Sequence, residues 1–266
     1  MAVLVTRPEP DNAATARALE ARGFGVVLAP MLRFEPVAFE DDAGANYAGV
    51  IVTSANALRA IADHPIRPRL LALPLFAVGE HTAEAARAAG FADVSVGETR
   101  GAAALPALVE GRLAPKRAKR KSPKGAPLIL YLAGADTTRD LAPDFGARGL
   151  ALVTRVTYRM VEVNGLPAAA RQAFASDAIS AILHYSRRSA RAFLAAARGA
   201  GVEISALALP QCCLSDAVAE VMREAGAARV VVARAPDEAS MLEAVVRAVG
   251  ADRMPAVGAG RGLTRA

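Results

Sequence analysis

Six short stretches of this chain carry the side chains best suited to chemistry. They are Thr6-Arg7-Pro8, Thr53-Ser54-Ala55-Asn56, Gly79-Glu80-His81-Thr82, Gly134-Ala135-Asp136-Thr137, Ser186-Arg187-Arg188-Ser189 and Ser215-Asp216. Each follows a short aliphatic run and opens a stretch with apolar residues at helical spacing. Small hydroxyl residues and glycines at such junctions cap helices by satisfying orphan amides. Exposed helix amides and the partial positive charge of a helix start also favour anions. Arg7, Arg187 and Arg188 add formal positive charge. The pattern suits a ligand that carries several carboxylates. Thr6, Arg7, Thr53, Ser54, Asn56, Gly79, Thr82, Gly134, Ser186, Arg187, Ser189 and Ser215 are the candidate binding residues. Capping alone is the competing use for any one of them.

The usual catalytic signatures are absent from the sequence. It contains no G-x-x-x-x-G-K-[ST] phosphate loop, no G-x-G-x-x-G at a strand–helix junction and no G-x-S-x-G elbow. His64, His81 and His184 are not spaced as metal ligands. His184 sits in the strand-like ILHYS and reads as a satisfied strand residue. His81 reads as a first-turn helix residue. Cys212 and Cys213 are adjacent, so on a strand they point to opposite faces, and they read as core residues rather than a disulfide.

The elements that position these stretches repeat along the chain. Phe76–Val96 (FAVGEHTAEAARAAGFADVSV) aligns without a gap on Cys212–Val232 (CCLSDAVAEVMREAGAARVVV), including Glu84/Glu220, Arg87/Arg223 and Gly90/Gly226. Ala18–Val26 likewise matches Asp144–Leu152 through Ala21/Ala147, Arg22/Arg148 and Gly23/Gly149. Six strand-then-helix units follow in the order a-b-c-a′-b′-c′, most of them ending at a glycine suited to a left-handed cap. This alternation predicts α/β architecture, with parallel sheets flanked by helices. In such sheets ligands bind beyond the carboxyl ends of the strands, where the six stretches lie. Two extended, β-prone segments interrupt the pattern, Pro30–Phe39 and Val153–Val163. If the chain crosses between lobes there, units b, c and a′ form one lobe, while a, b′ and c′ form the other. The expected division is residues 1–33 plus 160–250 for lobe 1 and 39–153 for lobe 2. Crossings at 34–38 and 154–159 join them, and 251–266 is a basic, flexible tail.

With 266 residues, 53% of them hydrophobic, the chain can bury two cores of ordinary size. No apolar run reaches the ~20 residues that span a bilayer. MAVLVTRPEP enters a strand directly, without the pattern of a secretory leader. A cytoplasmic monomer is expected. The net charge is +6. Part of the surplus lies in Lys116–Lys124 (KRAKRKSPK), which contains no acid, and part in Arg253, Arg261 and Arg265. No aromatic residues interleave with these charges, so a solvated loop and tail are expected rather than a nucleic-acid surface.

VLVTRP at the start, VIVTSANA (Val50–Ala57), AVGEHTAEAARAAGF (Ala77–Phe91) and ARAPDEASMLEAV (Ala233–Val245) together resemble uroporphyrinogen-III synthases. The resemblance covers nearly all of residues 1–249. It implies two similar α/β lobes joined by a two-stranded β-ladder, the first built from both chain ends. It implies a cyclising hydro-lyase of tetrapyrrole and heme biosynthesis that needs no metal or organic cofactor. The substrate would be hydroxymethylbilane, a linear octacarboxylate handed over by hydroxymethylbilane synthase. The product would be uroporphyrinogen III, closed with ring D inverted and water lost. Tyr158 matches a functionally important tyrosine of the family and is expected to donate a proton to the departing hydroxyl. Packing in the ladder is the alternative for that residue. Thr82 matches a cleft threonine, Thr53 and Ser54 a cleft pair, and Ser186 and Ser189 their counterparts. The sixth unit departs from the family pattern, since Val218 stands where Thr82 has its repeat partner. A two-lobe anion-binding protein without catalysis is the alternative reading of the whole chain.

Overall fold

The computed structural model describes residues 2–97, 101–118, 126–137 and 139–250. The expected flexible tail at 251–266 and residues 119–125 of the basic run lie outside the described residues. The chain divides into two compact units, 1–33 with 161–266, and 34–160.

The first unit is built on a five-stranded sheet. Its strands are β1 (Ala2–Val5), β2 (Gly25–Leu28), β9 (Ile179–His184), β10 (Gln211–Cys213) and β11 (Val230–Val232). They lie in the order β11-β10-β9-β1-β2, and every pairing is parallel. Parallel pairing requires a crossover after each strand. Helices α1 (Asp11–Glu20), α8 (Arg187–Gly199), α10 (Asp216–Glu224) and α11 (Glu238–Gly250) supply crossovers and cover, with α7 (Ala168–Ala175) and α9 (Glu203–Ala208) packed alongside. The period-2 alternation of the strands divides the core. Leu4 and Ile182 pack with Phe174 and Phe193 on one face. Val3, Val5, Ala181 and Leu183 pack with Met241, Leu242 and Val245 on the other. Each large side chain so buried contributes about 1.5–3 kcal/mol. Cys212 and Cys213 follow the same alternation into two different clusters, both fully buried and both free.

The second unit carries β4 (Tyr47–Val52), β5 (Leu75–Ala77), β6 (Val94–Val96), β7 (Leu128–Gly134) and the twelve-residue β8 (Ala151–Glu162), with β3 (Leu32–Pro36) at the edge. The order is β3-β8-β7-β4-β5-β6. The pairings β8-β7, β7-β4, β4-β5 and β5-β6 are parallel. Val50, Val52, Leu130 and Leu132 face one cluster with Leu75 and Ala77. Ile51, Ile129 and Tyr131 face the other with Phe76 and Phe145. Helices α2 (Ala55–Ala60), α3 (Arg67–Leu71), α4 (Glu80–Ala88), α5 (Leu105–Ala118) and α6 (Ala142–Gly146) flank this sheet. Each unit is thus built on a sheet of parallel pairings flanked by helices, as read from the sequence, while β3 and β8 lie at the edge of the second unit's six-stranded sheet.

The expected glycine stops are real. Gly23, Gly90, Gly149, Gly201 and Gly226 all have positive φ, between 65° and 101°. Two expectations are corrected. The fourth unit was expected to run into a helix directly after β7, but α6 has only five residues. Pro143 accounts for this, because proline is tolerated only in a helix's first turn, so the helix cannot begin much earlier. The basic run was expected to be a loop, yet α5 continues to Ala118 and takes in Lys116 and Arg117.

Candidate active site

In the second unit, the strand ends converge on Tyr158. The β7–β8 ladder pairs Ala133 with Val156 but Gly134 with Tyr158, so Thr157 is an extra residue in β8. Such a bulge bends the strand and re-aims its side chains. Thr157 is fully buried and its hydroxyl donates to the Ala133 carbonyl at 3.3 Å. Its own carbonyl accepts from Val37 N–H at 2.8 Å. Ala135 N–H donates to the Tyr158 carbonyl at 2.8 Å, which fixes the backbone beyond the bulge. The Tyr158 ring is thereby laid over Gly134. A β-carbon on Gly134 would sit 2.8 Å from Cζ and 2.9 Å from the phenol oxygen. Phe34 stacks on the ring with centroids 5.9 Å apart.

Tyr158 is only 9% exposed. Burial raises its pKa, a hydrogen bond from Ser54 opposes the rise, and Tyr131 and Asp136 add to it. The phenol therefore keeps its proton at neutral pH, while Ser54 stabilises the oxygen if that proton leaves. Ser54 is itself fixed. Its backbone is extended, and its Oγ accepts from Asn56 N–H at 3.2 Å to cap α2. Next to it, Thr53 Oγ1 lies 3.1 Å from the Tyr131 hydroxyl. Asn56 is engaged within the fold: Nδ2 donates to Met160 Sδ at 3.4 Å and Oδ1 accepts from Arg59 at 2.5 Å. Gly79 caps α4 through its carbonyl, which accepts from Thr82 and Ala83 N–H at 3.1 Å each. Its φ of −170° is ordinary extended backbone. Thr82 is buried in the first turn of α4, and His81 is exposed there.

The first unit holds the other candidates. Ser186 caps α8, with Oγ accepting from Ser189 N–H at 3.0 Å and lying 2.7 Å from Ser189 Oγ. Ser189 is buried and Arg187 is exposed. Ser215 starts α10 without a side-chain cap. Thr6 is a correction. It was expected to contact ligand, but it is fully buried and its hydroxyl donates to the Leu183 carbonyl at 2.7 Å. It ties β1 to β9. Arg7 is bound within the unit: Nη1 donates to Glu238 Oε2 at 2.6 Å and to Thr15 Oγ1 at 3.2 Å. Tyr185 lies under its guanidinium, 4.5 Å from carbon to ring centroid.

His184, His64 and the two cysteines are packing groups. His184 is fully buried, with Nε2 2.9 Å from Gln211 Oε1. Gln211 gives both amide hydrogens to the carbonyls of Ala206 and Leu209, so its oxygen must accept from His184. Burial lowers the His184 pKa to about 4. His64 stacks on Phe39, with Nδ1 accepting from Ile66 N–H. Burial pushes both cysteine thiols up to about 12. Among the described residues, no cluster of three or more His, Cys, Asp and Glu could hold a metal ion, and no helix is long and apolar enough to cross a membrane.

The family model for uroporphyrinogen-III synthase HemD matches residues 13–243. The chain belongs to this family. Two solved structures support the fold. One is uroporphyrinogen-III synthetase from Helicobacter pylori, at a TM-score of 0.58 and 16% identity over 92% of this chain and 98% of that one. The other is a mutant uroporphyrinogen III synthase from the extremely thermophilic bacterium Thermus thermophilus. Its TM-score is 0.54 at 18% identity, over 94% of this chain and 100% of that one. No curated protein matches the sequence significantly.

Four residues that meet these candidates escape a reading of the sequence. Tyr131 is a buried strand residue among aliphatic neighbours, set apart by its contact with Thr53 and its effect on Tyr158. Thr15, Tyr185 and Glu238 meet Arg7 from separations of up to 231 residues. The position of Tyr185 beside the cap Ser186 was the one available signal, since it stands where Thr53 stands beside Ser54.

Proposed function

We propose that the protein cyclises hydroxymethylbilane to uroporphyrinogen III, with Tyr158 as the acid that assists loss of the hydroxyl. The family membership supports the overall reaction. The observation that carries the role of Tyr158 is its placement, with a buried, protonated phenol held over Gly134 beside Ser54. Tyr158 gives its proton to the hydroxyl of the ring A hydroxymethyl group. The C–O bond breaks, water departs, and the pyrrole electrons fill the vacated position. Ser54 donates to the phenolate oxygen that remains. Ring D then attacks through the carbon that gives the inverted, spiro-linked arrangement. Ring opening and reclosure follow, and loss of a ring proton restores aromaticity. The proton returns to Tyr158.

The linear substrate loses water and closes to the symmetric isomer unaided. The protein's contribution is therefore mainly orientation and stabilisation of developing charge. Thr53, Thr82, Ser186, Ser189, Ser215 and Arg187 are the residues we assign to the carboxylates and the chain of rings. Classification as a hydro-lyase, action as a cytoplasmic monomer and direct receipt of substrate from hydroxymethylbilane synthase belong to the same proposal. The test is to supply enzymatically generated hydroxymethylbilane, oxidise the products and separate the isomers by chromatography. Isomer III in excess supports the reading. Isomer I alone, at the spontaneous rate, rejects it.

A further inference from the structure

We infer that Glu238, Thr15 and Tyr185 hold Arg7 as a pre-oriented hydrogen-bonding edge for a carboxylate of the ligand, with Glu238 as its positioning residue. The inference deepens the proposed function and rests on the polycarboxylate ligand of that reading.

Arg7 follows β1 and Tyr185 follows β9, its neighbour in the sheet, so both stand at strand ends where ligands of parallel sheets bind. Glu238 opens α11, where the helix start favours a carboxylate. That carboxylate gathers three donors. Arg7 Nη1 reaches Oε2 at 2.6 Å, while Thr15 Oγ1 and Tyr185 Oη reach Oε1 at 2.8 and 3.0 Å. With their protons on Glu238, neither hydroxyl is left to donate elsewhere. Burial and the neighbouring Glu238 charge raise the Tyr185 pKa, so the phenol stays a donor and a neutral floor for the guanidinium.

The clamp uses only one side of Arg7. Nη1 is engaged twice, and Nη2 is 3.7 Å from Asp11 Oδ2, an ion pair too long for a hydrogen bond. Nε and Nη2 hydrogen-bond to no described residue, and the side chain is 20% exposed. A planar guanidinium fixed along one edge presents the Nε/Nη2 edge in the geometry that a carboxylate accepts as two parallel bonds. Tyr185 and Glu238, from distant parts of the chain, thus converge with Thr15 to fix one partly exposed side chain. A lysine cannot both satisfy Glu238 and offer such an edge.

The test is a titration of the full-length protein with uroporphyrin III, the oxidised octacarboxylate product, read as Kd, beside thermal melting. Arg7→Lys should weaken binding about 10- to 100-fold, the scale of one charged bidentate contact. Glu238→Gln should weaken it in the same direction, and Tyr185→Phe, which keeps the ring, by less. Arg7→Lys/Glu238→Gln should bind no more weakly than Arg7→Lys alone, because both changes disable one device. Variants that melt lower yet bind like the wild type would overturn the inference and leave the cluster as a structural tie. So would multiplicative effects in the double variant, or a wild type that does not bind. A wild type that binds yet forms no isomer III would sink the proposed reaction and leave this site standing.

Discussion

Replacing Gly134 by alanine tests the placement of Tyr158 from the other side of the contact. The new β-carbon would lie 2.8, 2.9 and 3.0 Å from Cζ, the oxygen and Cε2 of the tyrosine ring. Apolar contacts settle near 3.5–4.0 Å, so the ring must retreat by about 0.5–1 Å. Phe34 blocks one direction, and the ring is almost entirely buried. Overpacking of this kind costs about 1–3 kcal/mol, or roughly 2–10 °C in Tm for a protein of this size. If the side chain pivots easily, the stability cost falls to the low end. The hydroxyl still moves in either case. A displacement near 1 Å at a reacting group costs about a hundredfold in rate. Gly134→Ala should therefore lower kcat for isomer III formation by about 10- to 100-fold, with a modest loss of Tm. Gly146→Ala is the control: it lies in α6, has nothing within 4 Å of its new β-carbon, and should leave both readouts near wild type. Gly134→Ala with wild-type kcat would refute the claim that the ring's position over that glycine matters for the reaction.

Other outcomes follow from groups away from Tyr158. His184 has a folded pKa of about 4 against 6.5 unperturbed. The unfolded state then binds more protons between those values, so stability should fall as pH drops from 6.5 to 4, by about 3 kcal/mol in all. Denaturant titrations of His184→Leu across that window should show a shallower decline, and an unchanged slope would exonerate the histidine. Cys212 and Cys213, buried with thiols near 12, should resist thiol reagents in the native protein and react only on unfolding; fast labelling under native conditions would contradict their burial. Ser186→Ala removes the cap of α8 and should cost about 1 kcal/mol, read as a lower midpoint of unfolding.

The repeat, the parallel sheets and the glycine stops were legible in the sequence because each rests on local chemistry. Gly23, Gly90, Gly149 and Gly226 close helices at equivalent points of the copies, and left-handed backbone demands glycine there. Ser54 and Ser186 were recognisable as equivalent, and each caps the helix after its strand. The edge strands β2, β6 and β11 escape such a reading, since three or four residues, none of them fully buried, carry too little pattern. The bulge at Thr157 depends on the register of β7 and β8, a pairing that no local spacing specifies. Thr6 resembles the other strand-end hydroxyls in type, and only the proximity of Leu183, across 177 residues, reveals that its hydroxyl is already engaged. The Arg7 clamp is hidden for the same reason, because Glu238 is brought in by α11 from near the opposite end of the chain.

The proton of Tyr158 is the central element of the proposed reaction. Tyr158→Phe keeps the ring against Phe34 and over Gly134 and removes only the hydroxyl. The measurement is the rate of isomer III formation from hydroxymethylbilane, with spontaneous isomer I in the same reaction as an internal clock. General-acid assistance contributes on the order of a hundredfold or more, so a folded Tyr158→Phe should lose about that factor and the product should shift toward isomer I. A folded variant that makes isomer III at the wild-type rate would contradict the account and leave Tyr158 as a packing residue of the β-ladder.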